Sequence, residues 1–168
     1  MRPAALALLL AGACAPKPDM PRQSQRQTIE GLTLSQSVDG EPRWTLRSRL
    51  AVLREESGAA SLEAPTMEFY RDGRAVSRVT AAQGSVRTDT HDVRLSSSVV
   101  LDSLTDRSRL TTDELLYSSK AGRFHTDSDV LIRRPEGVVR GRGLDASPDL
   151  SVIRVYDQRA TIKNGAPR

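Results

Sequence analysis

The chain has 168 residues, a net charge of +4 and 38% apolar residues, which indicates one globular domain rather than a disordered chain. Only 4% of the residues are aromatic, so aliphatic side chains must fill the core. The single cysteine, Cys14, excludes an internal disulfide and a cysteine-based zinc site, and the basic residues are spread along the chain rather than clustered as nucleic-acid binding requires.

The first residues predict an export signal. Arg2 precedes an uncharged stretch of Ala, Leu and Gly that is too short to cross a bilayer. The stretch ends in Ala11-Gly12-Ala13-Cys14, which resembles a bacterial lipobox, although Ala11 stands where Leu is usual. We expect cleavage after residue 13 and a lipid anchor on Cys14. Ordinary signal-peptidase cleavage remains an alternative, because Ala11-x-Ala13 suits that enzyme as well.

The segments that follow have distinct compositions. Residues 14–27 are polar and rich in Pro, Arg and Gln, which is typical of a flexible tether. Residues 28–163 contain the periodic apolar pattern and are predicted to form one domain. Residues 164–168 are predicted to be a short tail.

The domain is predicted to be all-β. Short runs of alternating apolar and polar residues are separated by turn signals, and helical periodicity is absent. The turns are predicted where an acidic residue or alanine precedes glycine, because glycine readily adopts the positive φ of tight turns. These dipeptides are Asp39-Gly40, Asp72-Gly73, Ala121-Gly122 and Glu136-Gly137.

One pattern recurs about every thirty residues, which indicates a repeated strand pair. Its four copies begin at Leu46, Val79, Leu110 and Val139. Within each copy the two-residue alternation slips by one place, and a bulge at the centre of a bent strand would keep one face apolar throughout. A second strand follows each copy. Two sheets with facing apolar sides are therefore expected to enclose a common interior.

Five segments have the order and spacing of a known family. They are Ile29-Glu30-Gly31-Leu32-Thr33-Leu34, Asp39-Gly40-x-x-x-Trp44-x-Leu46, the run from Leu62 to Gly73, Val79-Thr80-Ala81-x-x-Gly84-x-Val86 and Val93-x-Leu95-x-x-x-Val99-x-Leu101. This series, from about Thr28 to Ile162, resembles the LptC family of lipopolysaccharide-transport periplasmic proteins, which belongs with the OstA-like β-jellyroll proteins.

The resemblance implies a V-shaped jellyroll of two facing antiparallel sheets, open along one side. It implies that the protein accepts lipopolysaccharide from an inner-membrane ABC transporter and passes it to a periplasmic jellyroll bridge protein joined edge to edge. Many family members carry an N-terminal transmembrane helix, whereas this chain offers a signal segment. We therefore expect periplasmic anchoring to the inner membrane through Cys14, with a station nearer the outer membrane as an alternative.

An acyl chain has no directional groups, so an apolar groove suffices to bind it. The predicted groove residues are Trp44, Leu46, Leu53, Met67, Phe69, Val79, Val86, Val93, Leu95, Val99, Leu101, Leu110, Leu115, Tyr117 and Phe124. Trp44 and Phe69 are expected to line the opening. Small residues of the repeat, namely Ser48, Ala81, Gly84 and Thr112, are expected to leave space between the sheets. The alternative for every groove residue is ordinary core packing.

The first and last strands are the natural free edges, and exposed edges template pairing with another chain. Ile29, Leu32 and Leu34 mark the first edge. Val152, Ile153 and Val155 mark the last edge, which is predicted to dock a partner jellyroll. A plain capped edge is the alternative.

The sequence offers no enzymatic motif. His91 and His125 are the only histidines and are expected to be solvated, and neither a GxSxG nor an HExxH motif occurs. We predict no catalytic residue, metal or cofactor. Arg47, Arg49 and Arg78 are expected near the groove mouth, where they would meet lipid phosphates or the membrane surface. A lipid-free protein-binding scaffold and a closed-barrel carrier of small lipids remain alternative functions.

Overall fold

The computed structural model describes residues 26–162, which contain twelve β-strands and one 3₁₀ turn. Cys14, the signal segment and the tail lie outside the described residues. The strands are β1 (Arg26–Val38), β2 (Glu41–Arg54), β3 (Ala59–Glu63), β4 (Thr66–Arg71), β5 (Arg74–Thr80), β6 (Gln83–Arg87), β7 (Val93–Ser103), β8 (Arg109–Ser118), β9 (Arg123–Arg134), β10 (Gly137–Ala146), β11 (Ile153–Val155) and β12 (Arg159–Ile162). Within residues 26–162 no helix is long and apolar enough to cross a membrane.

The strands form an antiparallel meander. β1, β2, β7, β8, β9 and β10 are uninterrupted, whereas three further passes are split into the pairs β3–β4, β5–β6 and β11–β12. β2 pairs with β4 over its first half and with β3 over its second half. β7 pairs likewise with β6 and then with β5. Each pass therefore runs through two half-sheets.

We call the half-sheet that contains β4, β5 and β12 wall A, and the half-sheet that contains β3, β6 and β11 wall B. The uninterrupted strands run through both walls and bend at a line that we call the spine. The ladders shift register there, between Ser96 and Val99, between Thr112 and Leu116, and at Gly143, which has a φ of +80°. The predicted central bulge is found at this bend in the copies that begin at Leu110 and Val139. The copy that begins at Val79 is instead split into β5 and β6, and the copy that begins at Leu46 crosses the spine without a register shift. The predicted all-β fold is confirmed.

The small residues of the repeat lie at the spine. Ser48 Oγ lies 2.8 Å from the carbonyl oxygens of Leu50 and Glu63, and its single proton is shared between these two acceptors. Thr112 Oγ1 donates to the Asp129 carbonyl oxygen at 2.9 Å. A Cβ on Gly84 would lie 2.8 Å from the Arg94 carbonyl oxygen. These side chains therefore permit the bend and satisfy its backbone groups, and the space that they would leave between the sheets stays a prediction.

The inner faces of the walls carry rows of paired apolar residues. In wall A the row is Leu46, Met67, Val79, Leu101, Leu110, Ile132 and Val139. In wall B one row is Val86, Val93, Tyr117, Phe124 and Ala146. The alternation of each strand places these side chains on one face, and packing the two faces together forms the core.

The hairpin turns lie at the two rims opposite the spine, and we call the gap between the rims the mouth. Asp39-Gly40 and Asp72-Gly73 both have positive φ at both residues, as the predicted tight turns require. The fourth turn is one residue earlier than predicted, because Gly137 already pairs with Arg134 at the start of β10.

The two ends of the meander are β1 and the β11–β12 pair. β1 begins at Arg26 and pairs with β2 alone, and β11 and β12 both pair with β10. Leu32, Leu34, Ile153 and Val155 are partly buried and pack against the core, whereas Ile29 is more exposed. Val152 is exposed just before β11. The residues predicted for partner docking therefore lie on or beside edge strands.

Candidate functional site: the interior and the mouth

The predicted groove residues lie between the two walls. Leu53 is partly buried, and the other fourteen predicted residues are at most 5% exposed. The interior of this structure is therefore filled by the protein's own side chains. Backbone pairing runs continuously across the spine, whereas no backbone ladder joins the two walls at the mouth within residues 26–162.

An aromatic cluster closes the interior just below the mouth. Phe69 from wall A packs edge-on against Tyr117 and Phe124 from wall B, with ring centroids 4.9 and 5.2 Å apart. Trp44 from wall A meets Tyr117 at 6.4 Å, and its Nε1 donates to Gln36 Oε1. Burial raises the pKa of Tyr117 above its usual value. The walls are thus joined at this end by side-chain packing, and other apolar groups can replace such contacts.

Polar contacts join the two rims above the aromatic cluster. Ser119 Oγ donates to Gln36 Oε1 at 2.9 Å. The guanidinium of Arg71 lies 2.7 Å from Asp149 Oδ2. Arg134 donates to the Leu150 carbonyl oxygen at 3.4 Å. Each contact joins wall A, or its rim, to the opposite rim, so the mouth is shut by side chains rather than by a backbone ladder.

The loop between β10 and β11 inserts into the mouth. Its Leu150 is fully buried with a φ of +59°. Its Asp149 is buried and accepts hydrogen bonds from Ser147 Oγ and from the Ser151 backbone and hydroxyl. Burial raises the pKa of Asp149, but these hydrogen bonds and the charge of Arg71 outweigh burial and leave the pKa below its usual value. The loop is therefore held by a charged, fully bonded carboxylate.

A cleft of about 490 Å³ opens between the rims. Phe69 and Tyr117 lie at its base, and Arg43, Arg71 and Lys120 stand in its walls. Within residues 26–162, Arg43 and Lys120 form no ion pair. Strand alternation did not predict these cations, because it does not tell which basic residues the fold brings to one cleft.

The arginines expected at the groove mouth lie elsewhere. Arg47 and Arg78 flank Glu68 on the outer face of wall A, at 3.0 and 2.7 Å. Arg49 pairs with Glu63 on the outer surface. Hydrogen bonds from Arg78 and then Arg47 hold the pKa of Glu68 below its usual value. These three arginines pair with two carboxylates on the outer surface, so the expectation that they lie at the groove mouth was wrong.

Both histidines are exposed. His125 Nδ1 lies 2.9 Å from Asp145 Oδ1 on the outer face of wall B, and Tyr156 donates to the other oxygen of Asp145. The hydrogen bond to Asp145 raises the pKa of His125. The same carboxylate therefore links β9 and β10 to the edge that carries Tyr156.

The fold and the mouth define a bent antiparallel jellyroll with an apolar interior between two walls. The family model described as "Lipopolysaccharide-assembly, LptC-related" matches residues 7–163, and the chain belongs to this LptC family. A search of curated proteins found no match.

Membership in the LptC family connects the chain with lipopolysaccharide transport and outer-membrane biogenesis. Proteins of this family are periplasmic and associated with the inner membrane, and the family is not one of enzymes. Lipopolysaccharide and the transport machinery are the partners that the family implies.

Proposed function

We propose that this protein is a relay that binds lipopolysaccharide between its two walls. In this proposal it accepts the lipid from an inner-membrane ABC transporter and passes it to a periplasmic jellyroll bridge protein. The observation that carries the proposal is the asymmetry of closure: hydrogen-bonded strands cross the spine, whereas aromatic packing and a few polar contacts close the mouth.

Acyl chains would replace the contacts that the walls make with each other. Each square ångström of buried apolar surface is worth roughly 25 cal/mol, so a hydrocarbon chain offsets the separation of two apolar faces without directional bonds. The aromatic cluster offers the first such surface below the mouth. The packed interior thus represents the lipid-free state of the relay.

The edges of the meander are the proposed surfaces for neighbouring jellyrolls. β1 presents Ile29, and the segment before β11 presents Val152, which is 55% exposed. A neighbouring strand that paired with either edge would continue the sheet and align the two interiors. Site-specific crosslinking at these two residues would identify the edge that meets the transporter and the edge that meets the bridge protein.

Anchoring completes the proposal. Cys14 would carry the acyl groups that hold the domain at the inner membrane. Residues 15–25 would serve as the tether between the membrane and β1. The anchor is tested by Cys14→Ser, which should release the protein from membranes into the soluble periplasmic fraction. Unchanged membrane association in this variant would refute lipid anchoring.

Photo-crosslinking with matched neighbours tests lipid binding. Leu115 is fully buried on the inner face of β8, whereas its neighbour Leu116 pairs with Arg94 and His125 on the outer face. Val99 and Val100 in β7 form a second pair with the same contrast. A photoreactive residue at Leu115 or Val99 should capture lipopolysaccharide in cells, and the same residue at Leu116 or Val100 should not.

The filled interior favours a second candidate, a lipid-free scaffold that binds only proteins. A scaffold would capture protein partners at the edge residues but no lipopolysaccharide at Leu115 or Val99. Equal lipid capture at the inner and outer neighbours would also refute the relay, because it would indicate contact with the membrane surface rather than the interior.

A further inference from the structure

The cleft at the mouth has an excess of positive charge above an apolar base. The cleft walls contain Arg43, Arg71 and Lys120 against one carboxylate, Asp149, which already binds Arg71. Phe69 and Tyr117 are among the apolar residues that line the cleft, and both belong to the buried core. A ligand that fits this arrangement carries a compact anion attached to hydrocarbon.

We propose that the mouth is a phosphate-binding subsite for a phosphorylated lipid, with Arg43 and Lys120 as the primary contacts. This inference rests on the proposed function and assigns the part of the lipid that lies at the rim. A phosphate monoester carries a charge of about −1.5 to −2 and three strong acceptor oxygens, and so matches a cleft lined by several cations. Arginine binds such a group through two parallel hydrogen bonds.

The ion pair between Arg71 and Asp149 links this subsite to closure of the mouth. A phosphate held by Arg43 and Lys120 lies in the same cleft as the Arg71 guanidinium and competes with Asp149 for it. Loss of that pair removes one of the contacts that hold the inserted loop, whose Leu150 fills the interior. Head-group binding therefore favours the opening that the acyl chains need.

The test compares two lipids and three double variants of the full chain in detergent. Trp44, the single tryptophan, lies in the aromatic cluster and reports on the mouth by its fluorescence. The variant is Arg43→Gln with Lys120→Gln. The control is Arg133→Gln with Arg140→Gln, which removes the same charge from exposed positions outside the cleft. The probes are intact lipopolysaccharide and lipopolysaccharide stripped of its phosphates.

The expected result is a loss of affinity of about tenfold or more for the intact lipid in R43Q/K120Q, with no change for the stripped lipid. The control variant should bind both lipids like the wild type. Exchanging the cations, Arg43→Lys with Lys120→Arg, should retain affinity within about threefold because the charge is kept. Inorganic phosphate alone should leave the Trp44 emission unchanged.

An unchanged affinity of R43Q/K120Q for the intact lipid would overturn the subsite. So would an equal loss with both lipids, an equal loss in the control, or a response to inorganic phosphate alone. A wild-type protein that binds neither lipid would overturn the proposed function itself and the subsite with it. The wild-type measurement therefore separates failure of the proposed function from failure of the subsite alone.

Discussion

Asp149 shows how one buried carboxylate orders a segment that lacks regular structure. It collects hydrogen bonds from Ser147 and Ser151 and the ion pair from Arg71, all of which favour its charged form. Asp149→Asn removes that charge and should lower the free energy of unfolding at pH 7 by about 2 kcal/mol.

The pH dependence of this substitution has a defined sign. Because the folded pKa of Asp149 lies below its ordinary value of 3.8, its contribution is present above pH 3.8 and is lost as pH falls through the folded pKa. Urea unfolding between pH 3 and pH 7 should show the two proteins converging toward the acid end. Asp113→Asn, at an exposed position, should change stability by less than about 0.5 kcal/mol. A gap between wild type and Asp149→Asn that is constant over this range would contradict the assignment.

At the scale of elements, the last edge depends on the small size of Gly141. A Cβ there would meet the Val155 side chain and lie 2.6 Å from the Tyr156 carbonyl oxygen. Two backbone hydrogen bonds hold the bend of the edge at this place. The Arg142 N–H donates to the Tyr156 carbonyl oxygen, and the Tyr156 N–H donates to the Gly143 carbonyl oxygen.

Gly141→Ala should loosen this edge without unfolding the core. Overpacking of this kind costs about 1–3 kcal/mol, and here the edge can move away instead of straining the walls. Hydrogen exchange should accelerate at the amides of Arg142 and Tyr156, while the amide of Leu110 in β8 stays protected. Acceleration throughout the domain would show that the edge and the core unfold as one unit.

At the scale of the whole molecule, transport requires the two walls to separate at the mouth. Gln36 and Ser119 face each other across it, with Ser119 Oγ 2.9 Å from Gln36 Oε1. Replacing both with cysteine and joining them by a short bismaleimide should hold the mouth closed. The interior would then stay filled by side chains.

The linked protein should lose capture of lipopolysaccharide by a photoreactive residue at Leu115. The Gln36→Cys and Ser119→Cys single variants, treated with the same reagent, should retain capture. They also serve as controls for a bridge that the reagent forms to Cys14. Capture that persists in the linked protein would mean that lipid enters the interior by a route other than the mouth.

Much of the fold follows from local chemistry in the sequence. The slip in the alternation within each repeat predicts a bulge, and the register shifts at Thr112 and Gly143 lie where the pattern places them. Asp39-Gly40 and Asp72-Gly73 predict tight turns because neighbouring residues alone set their backbone conformation. The placement of fourteen of the fifteen groove residues in the interior follows from the same two-residue period.

The mouth could not be predicted in this way. Leu150 lies in a Ser-Pro-Asp-Leu-Ser segment without periodicity, yet it is fully buried, because the loop is ordered by Arg71 from a distant turn. The alternation places Arg47 and Arg78 on a polar face but does not predict that both pair with Glu68. The role of Ser48 and Thr112 at the spine likewise depends on the carbonyl groups of neighbouring strands.

The sequence by itself determined the strands, their turns, the apolar face and the family. Only the tertiary structure decided which side chains meet across the mouth, that the interior is filled, and that Arg43 and Lys120 share one cleft. The physical reason is the range of the interactions: alternation and turn chemistry act between residues close in the chain, whereas the contacts that close the mouth join residues that only the bend of the sheet brings together.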